Sequence, residues 1–164
     1  MKRLLGAAFV LTVGLYAQDG GADWKQFDFL LGKWVGTAST KDTPLGAGQG
    51  GFSFDLELSK KIIVRRNHAG YDSGAQHDDL MVIYTEGAPR AIYFDSEGHV
   101  IRYNITVPTK DSVVFDSDGT QPGPKYRLSY WMEGSGILKG KFEVAAPGAS
   151  EYKTYMSWGS QRNR

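Results

Sequence analysis

The segment IIVRRNH at residues 62–68 places cationic side chains in the middle of an apolar run. Side chains of a β-strand alternate between its two faces, so Arg66 and His68 share one face, and Arg65 and Asn67 share the other. Either register brings a cation to the buried side of the strand, where a charge must be paired, solvated or matched by an anionic ligand. We take Arg66 and His68 as candidate ligand-binding residues.

A set of aromatic residues on other predicted strands has the chemistry to line a common cavity. Phenolic hydroxyls inside an apolar cavity orient a ligand by hydrogen bonds. Aromatic residues also favour strands for packing alone, so each of them has a purely structural interpretation as well. The candidate binding residues of this kind are Tyr84, Tyr93, Tyr103, Tyr130 and Trp158.

Other motifs lack the context that their chemistry requires. His77, Asp78 and Asp79 combine the imidazole and carboxylate ligands of divalent ions, but adjacent strand residues point to opposite faces. We therefore interpret them as a solvated strand entry and predict no metal site. Residues 46–51 have GxGxxG spacing, yet a strand pattern follows them where a dinucleotide site needs a helix. The chain has no cysteine and no GxSxG or SxxK frame, so we assign no catalytic residue.

The elements that must position these side chains are short strands. Residues 52–58 (FSFDLEL) alternate strictly between apolar and polar, which predicts a strand with one buried face. Nine further short segments, each bounded by turn residues, are also predicted to be strands. Ten consecutive strands without crossover helices predict an antiparallel up-and-down β-barrel, which leaves no exposed edge. Before them, the apolar spacing of Trp24–Leu31 predicts a short N-terminal helix that ends at Gly32. The ten predicted strands span residues 34–40, 52–58, 62–68, 79–85, 90–95, 99–107, 112–116, 126–132, 138–144 and 152–158.

Composition and the N-terminus restrict the class of protein. The 164 residues fit one domain, and a formal net charge of +1 argues against a nucleic-acid binder. Met1–Arg3 is basic, Leu4–Tyr16 is apolar, and Ala17 is a small residue at the cleavage position, so residues 1–17 are predicted to be a signal peptide. We therefore expect a secreted or periplasmic barrel domain at residues 18–164, with no membrane span after removal of the signal.

The segment FLLGKWVG at residues 29–36 resembles the opening of the calycin superfamily, in particular lipocalin-like and nitrobindin-like bacterial barrels. The resemblance implies that a short N-terminal helix leads into Gly32-x-Trp34 on the first strand, where the tryptophan closes one end of the barrel. Nitrobindins hold haem through a histidine late in the chain. No histidine follows His99 in this sequence, and we expect no cofactor.

These observations lead to one main hypothesis and two alternatives. The main hypothesis is an exported, non-catalytic carrier or sensor of a small hydrophobic or amphipathic molecule, with an anionic head near Arg66 and His68. The first alternative is a barrel enzyme or haem-dependent protein in which His68 acts as acid, base or ligand. The second is a barrel filled by its own side chains and used for protein contacts.

Overall fold

The computed structural model describes residues 23–38, 45–120 and 122–163. The predicted signal peptide at residues 1–17 lies outside the described residues, as does the end of the first predicted strand at residues 39–40. The described residues form ten strands that follow one another around a closed antiparallel barrel. The predicted up-and-down β-barrel is therefore confirmed.

Each of the ten predicted strand segments overlaps one observed strand. The strands are β1 Gly32–Ala38, β2 Gly48–Glu57, β3 Ile62–Tyr71, β4 Gln76–Glu86, β5 Ala88–Asp95, β6 Val100–Thr109, β7 Ser112–Ser117, β8 Lys125–Glu133, β9 Ile137–Ala145 and β10 Lys153–Arg162. Alternation was sufficient to find them because each strand presents one face to the interior.

The first and last strands close the barrel. β1 pairs with β2 on one side, where Trp34 lies opposite Phe52, and with β10 on the other, where Trp34 lies opposite Arg162. Both pairings are antiparallel, so every strand of the described barrel has two hydrogen-bonded neighbours. This arrangement removes the unpaired edges through which β-proteins aggregate.

A short segment before β1 plugs one end of the barrel. It contains a single 3-10 turn, Lys25–Phe27, which is shorter than the predicted helix. Trp24, Phe27 and Leu30 are buried in the core, as their predicted common face requires. The indole Nε1 of Trp24 donates to the carbonyl oxygen of Lys60 at 2.8 Å, which attaches the plug to the β2–β3 turn. No helix among the described residues is long and apolar enough to span a membrane.

Trp34 seals the plugged end, at the position that the calycin resemblance implies. Its side chain is buried, and its Nε1 donates to the carbonyl oxygen of Leu30 at 2.7 Å. The guanidinium carbon of Arg162 lies 4.5 Å from the centre of the indole ring, and its Nη1 donates to the carbonyl oxygen of Leu31 at 2.5 Å. The last strand is thereby attached to the plug as well as to β1.

We expect Phe27→Ala to lower the free energy of unfolding by about 3–5 kcal/mol, because it leaves a void where the plug meets the core. Phe94→Ala is the matched control, because Phe94 is 42% exposed whereas Phe27 is fully buried. Phe94→Ala should lower the free energy of unfolding by less than about 0.5 kcal/mol. Urea unfolding followed by circular dichroism measures both. Equal losses for the two variants would contradict the role of the plug.

Candidate functional site

A cavity of about 470 Å³ occupies the half of the barrel away from the plug. Its lining comes from the later residues of β1, β3, β5 and β9 and from the earlier residues of β2, β4, β6, β8 and β10. In an antiparallel barrel these positions lie at the same end. The β3–β4 and β5–β6 turns contribute Ala75, Glu97 and His99 to the rim.

Two parts of the cavity lining differ in chemistry, and we call them the polar wall and the apolar wall. The polar wall comes from β3, β4, β5 and the turn after β5, and it carries Arg65, Asn67, His77, Asp79, Tyr93, Asp95, Glu97 and His99. The apolar wall comes from β6, β8, β9 and β10, and it carries Ile101, Tyr103, Tyr126, Leu128, Phe142, Val144, Met156 and Trp158. Such a division suits a ligand with one apolar and one polar part.

The register of β3 is the one that directs Arg65 and Asn67 inwards. Ile63 is fully buried and lies opposite the equally buried Ile83 of β4, which fixes the face to which residue 65 belongs. The prediction that Arg66 and His68 line the lumen is therefore corrected, because both lie on the outer face of the barrel.

The outward residues of β3 form exposed ion pairs. Nη1 of Arg66 donates to Oε1 of Glu57 at 2.7 Å, and Nδ1 of His68 lies 2.7 Å from Oδ1 of Asp78. The side chains of Arg66 and His68 are 53% and 64% exposed. Exposed pairs of this type contribute little to stability, and these two take no part in the cavity.

The structure brings three of the five predicted aromatic residues to the cavity. Tyr93, Tyr103 and Trp158 line it, and the rings of Tyr93 and Tyr103 meet edge to face with centroids 6.4 Å apart. Tyr130 is fully buried in the core and contacts Trp158, but it does not line the cavity. Tyr84 lies outside the cavity lining, on the face of β4 opposite to the buried Met81 and Ile83.

Trp158 enters the cavity across a glycine of the neighbouring strand. Gly140 of β9 lies directly opposite Trp158 of β10, and the indole occupies the space that a Cβ at residue 140 would take. A larger residue at position 140 would displace the ring. Gly140 therefore sets the position of the aromatic surface on the apolar wall.

The polar wall is organised by a buried ion pair between Arg65 and Asp79. Nη1 of Arg65 donates to Oδ1 of Asp79, while Oδ2 accepts from Nδ2 of Asn67 at 3.0 Å. Both charged residues are less than 10% exposed. Burial opposes the charge of Arg65, but the Asp79 carboxylate holds the pKa of the guanidinium above its ordinary value. The guanidinium therefore stays charged and is paired with the Asp79 side chain within the wall.

His77 extends this network to the rim. Its Nε2 lies 3.2 Å from Oδ2 of Asp79 and 3.0 Å from the hydroxyl of Tyr93, and its Nδ1 lies 2.9 Å from Oε2 of Glu97. The hydrogen bond to Asp79 raises the pKa of His77 above its ordinary value. The interpretation of residues 77–79 as a solvated strand entry was wrong for His77 and Asp79. These two residues share the inward face of β4, because residues i and i+2 of a strand share a face. Among the three, only Asp78 is exposed.

Asp95, the last residue of β5, places a second carboxylate near His77, and the turn that follows β5 holds it in position. Oδ1 of Asp95 accepts from the backbone amides of Glu97 at 3.1 Å and His99 at 2.8 Å, and Oδ2 faces Nδ1 of His99 at 2.9 Å. Burial opposes ionisation, but the hydrogen bonds from His99 hold the pKa of Asp95 below its usual range. His77, Asp95 and Glu97 each offer one possible ligand atom, and these three atoms lie within 4.8 Å of one another. Sequence reasoning missed this group.

The hydroxyl of Tyr130 is buried beside the Arg65 guanidinium. Burial raises the pKa of Tyr130 to about 12, so the hydroxyl stays protonated near neutral pH. The inner end of the polar wall therefore carries a neutral hydroxyl next to the guanidinium.

The comparisons with known proteins leave family and activity open. No protein-family model and no curated protein matches the sequence. Among solved structures, EF1p2_mFAP2b bound to DFHBI is similar with a TM-score of 0.49 and 14% identity, over 85% of this chain and 98% of that one. A redesigned beta barrel gives a TM-score of 0.47 and 12% identity, over 85% and 96%.

We expect Asp79→Asn to lower the free energy of unfolding by about 3–5 kcal/mol, because it leaves the Arg65 charge buried and uncompensated. The double variant Arg65→Met with Asp79→Leu removes both charges and should recover most of that loss. Chemical denaturation at neutral pH measures each variant.

Glu57→Gln provides the control, since it breaks the exposed pair with Arg66 and should cost no more than about 1 kcal/mol. A loss in Asp79→Asn no larger than that in Glu57→Gln would show that the buried pair does not organise the wall.

Proposed function

We propose that this protein is a non-catalytic carrier or sensor that binds a small amphipathic molecule inside its barrel. The observation that carries the proposal is the division of one cavity into an aromatic, apolar wall and a hydrogen-bonded polar wall. A filled structural barrel would place apolar side chains throughout the interior. The volume of about 470 Å³ falls within the range of small-molecule sites.

The apolar part of the ligand packs against the β8–β10 side of the cavity. Phe142, Met156 and Trp158 supply a surface of large, polarizable side chains there. Burial of apolar surface against them supplies most of the binding free energy. The tyrosine hydroxyl of Tyr93, on the facing wall, orients the ligand.

The charges of the polar wall favour a neutral or cationic head group over the anionic one expected from the sequence. Arg65 is already neutralised by Asp79, and Asp95 and Glu97 add two further carboxylates at the rim. The carboxylates of Asp95 and Glu97 would repel an anionic head. The described part of the polar wall offers no unpaired cation to compensate for this repulsion. A hydroxyl, amide or amine would instead find acceptors.

The alternative of a barrel enzyme that uses His68 has no support in this geometry, since His68 lies on the outer face beside Asp78. The calycin resemblance fits the plug, Trp34 and the closed barrel, and we propose calycin-like ancestry on these grounds. Export to the periplasm or the medium is part of the same proposal and rests on the sequence of residues 1–17.

A fluorescent probe tests the cavity. N-phenyl-1-naphthylamine, a neutral amphipathic dye that brightens in apolar surroundings, should bind the wild type in a saturable manner. Ala69→Phe fills the cavity from β3, and we expect it to weaken dye binding at least about tenfold, because the bulky ring excludes the probe.

The control is Ala88→Phe, which adds the same ring at an exposed position of β5 and should leave dye affinity unchanged. Both variants are compared at equal folded fraction, measured by circular dichroism. Equal dye affinity in wild type and Ala69→Phe would place the probe outside the barrel and contradict the proposal.

The export proposal has its own test. The full chain expressed in a bacterium with its own N-terminus should yield an exported protein whose first residue is Gln18, because Ala17 is the small residue at the cleavage position. N-terminal sequencing of the periplasmic and medium fractions identifies it. Recovery of the intact chain from the cytoplasm alone would contradict export.

A further inference from the structure

Three metal-ligating side chains meet at the rim of the cavity. His77 is on β4, Asp95 is the last residue of β5, and Glu97 is in the turn that follows. Their ligand atoms all lie within 4.8 Å of one another. β4 and β5 are hydrogen-bonded neighbours, so the barrel itself holds His77 and Asp95 in place.

We propose that His77, Asp95 and Glu97 bind one divalent transition-metal ion of the zinc class at the mouth of the barrel. Imidazole together with carboxylates is a donor set typical of such ions, whereas calcium and magnesium sites use oxygen ligands. With zinc–ligand bonds of about 2.0–2.2 Å in tetrahedral geometry, two ligand atoms of one ion lie about 3.3–3.6 Å apart. The three side chains therefore draw together by up to about 1.5 Å when an ion binds, and the Glu97 side chain, in a turn, is 44% exposed.

The surroundings of His77 have the arrangement found around metal-binding histidines. Such a histidine donates its second ring N–H to a carboxylate or another polar oxygen, which fixes the tautomer and the ring orientation. Nε2 of His77 faces Asp79 at 3.2 Å and the Tyr93 hydroxyl at 3.0 Å. Asp79 is itself held by the buried Arg65 and by Asn67. This leaves Nδ1 directed at the proposed site.

Nδ1 of His77 lies 2.9 Å from Oε2 of Glu97. A proton on Nδ1 makes this contact a hydrogen bond, and a divalent ion that replaces the proton would take both atoms as ligands. Asp95 would supply the third ligand.

Asp95 is preoriented by the turn that follows it. Its Oδ1 accepts from the backbone amides of Glu97 and His99, its Oδ2 faces Nδ1 of His99 at 2.9 Å, and its side chain is only 5% exposed. Binding therefore requires little ordering of this carboxylate. Three protein ligands leave at least one coordination position, which water or a neutral head such as a hydroxyl, of a molecule in the cavity, would occupy.

The test uses the full chain without an affinity tag, freed of metal with a chelator, and ZnCl₂ as the only added ligand. Isothermal titration should give one Zn²⁺ per chain. Because Co²⁺ takes the same ligands and absorbs visible light, its spectrum should show a low-symmetry site of four or five ligands. The proposal is overturned if the wild type binds neither ion.

Variants locate the ion. His77→Ala and Glu97→Gln should each weaken Zn²⁺ binding at least about tenfold, since the first removes a ligand and the second replaces a charged carboxylate with a neutral amide. Glu97 lies in an exposed turn, so its variant keeps the question answerable if His77→Ala fails to fold. Tyr93→Phe removes only a hydrogen-bond partner of Nε2 of His77. It should weaken Zn²⁺ binding by less than either His77→Ala or Glu97→Gln does.

His68→Ala is the matched control, because His68 also faces an aspartate but lies on the outer wall, away from Asp95 and Glu97. It should bind Zn²⁺ as the wild type does. Wild-type affinity in both His77→Ala and Glu97→Gln, or equal loss in His68→Ala, would overturn the proposed site. The titration contains no organic molecule, so a negative result here leaves the dye experiment unaffected.

Discussion

The buried ion pair between Arg65 and Asp79 is the interaction on which the interior of this barrel depends. It lies between two neighbouring strands at the level where the packed core gives way to the cavity. Both charges would be unfavourable in that position without each other. Through Asp79 the pair also orients Asn67 and His77, and through His77 it reaches the rim. The chemistry of the polar wall is thus a consequence of neutralising one inward-facing arginine.

The fold could be predicted from the sequence because its signal is local. Strict alternation in β2 and β9, and turn residues between the other segments, are set by residues close to one another along the chain. The plug was also visible in the spacing of Trp24, Phe27 and Leu30, whose common face is buried as expected. The 3-10 geometry of the plug could not be predicted from the sequence, because packing against the barrel end decides the conformation of so short a segment.

The site was harder to predict because the halves of β3 and β4 that lie away from the cavity, toward the plug, are apolar on both faces. Ile62, Ile63 and Val64 allow either register, and the choice is made by the neighbouring strand, where Met81 and Ile83 are the fully buried residues. A usable signal existed: in that register Arg65 and Asp79, opposite charges on successive strands, both face inwards. Pairing the two strands before assigning the inner face would have found the wall.

The barrel begins at Gly32 and ends at Arg162, and these two ends lie side by side. The amide of Asn163 donates to the carbonyl oxygen of Lys33 at 2.9 Å, at the plugged end of β1. The β4–β5 turn at Gly87 is at the same end, because the cavity is lined by the early part of β4 and the late part of β5. In a circular permutant, the segments before β1 and after β10 would be joined and the chain would be opened at Gly87. Its new termini would then lie at the plugged end, away from the cavity entrance. The order in which the strands are synthesised can change while the entrance stays unobstructed.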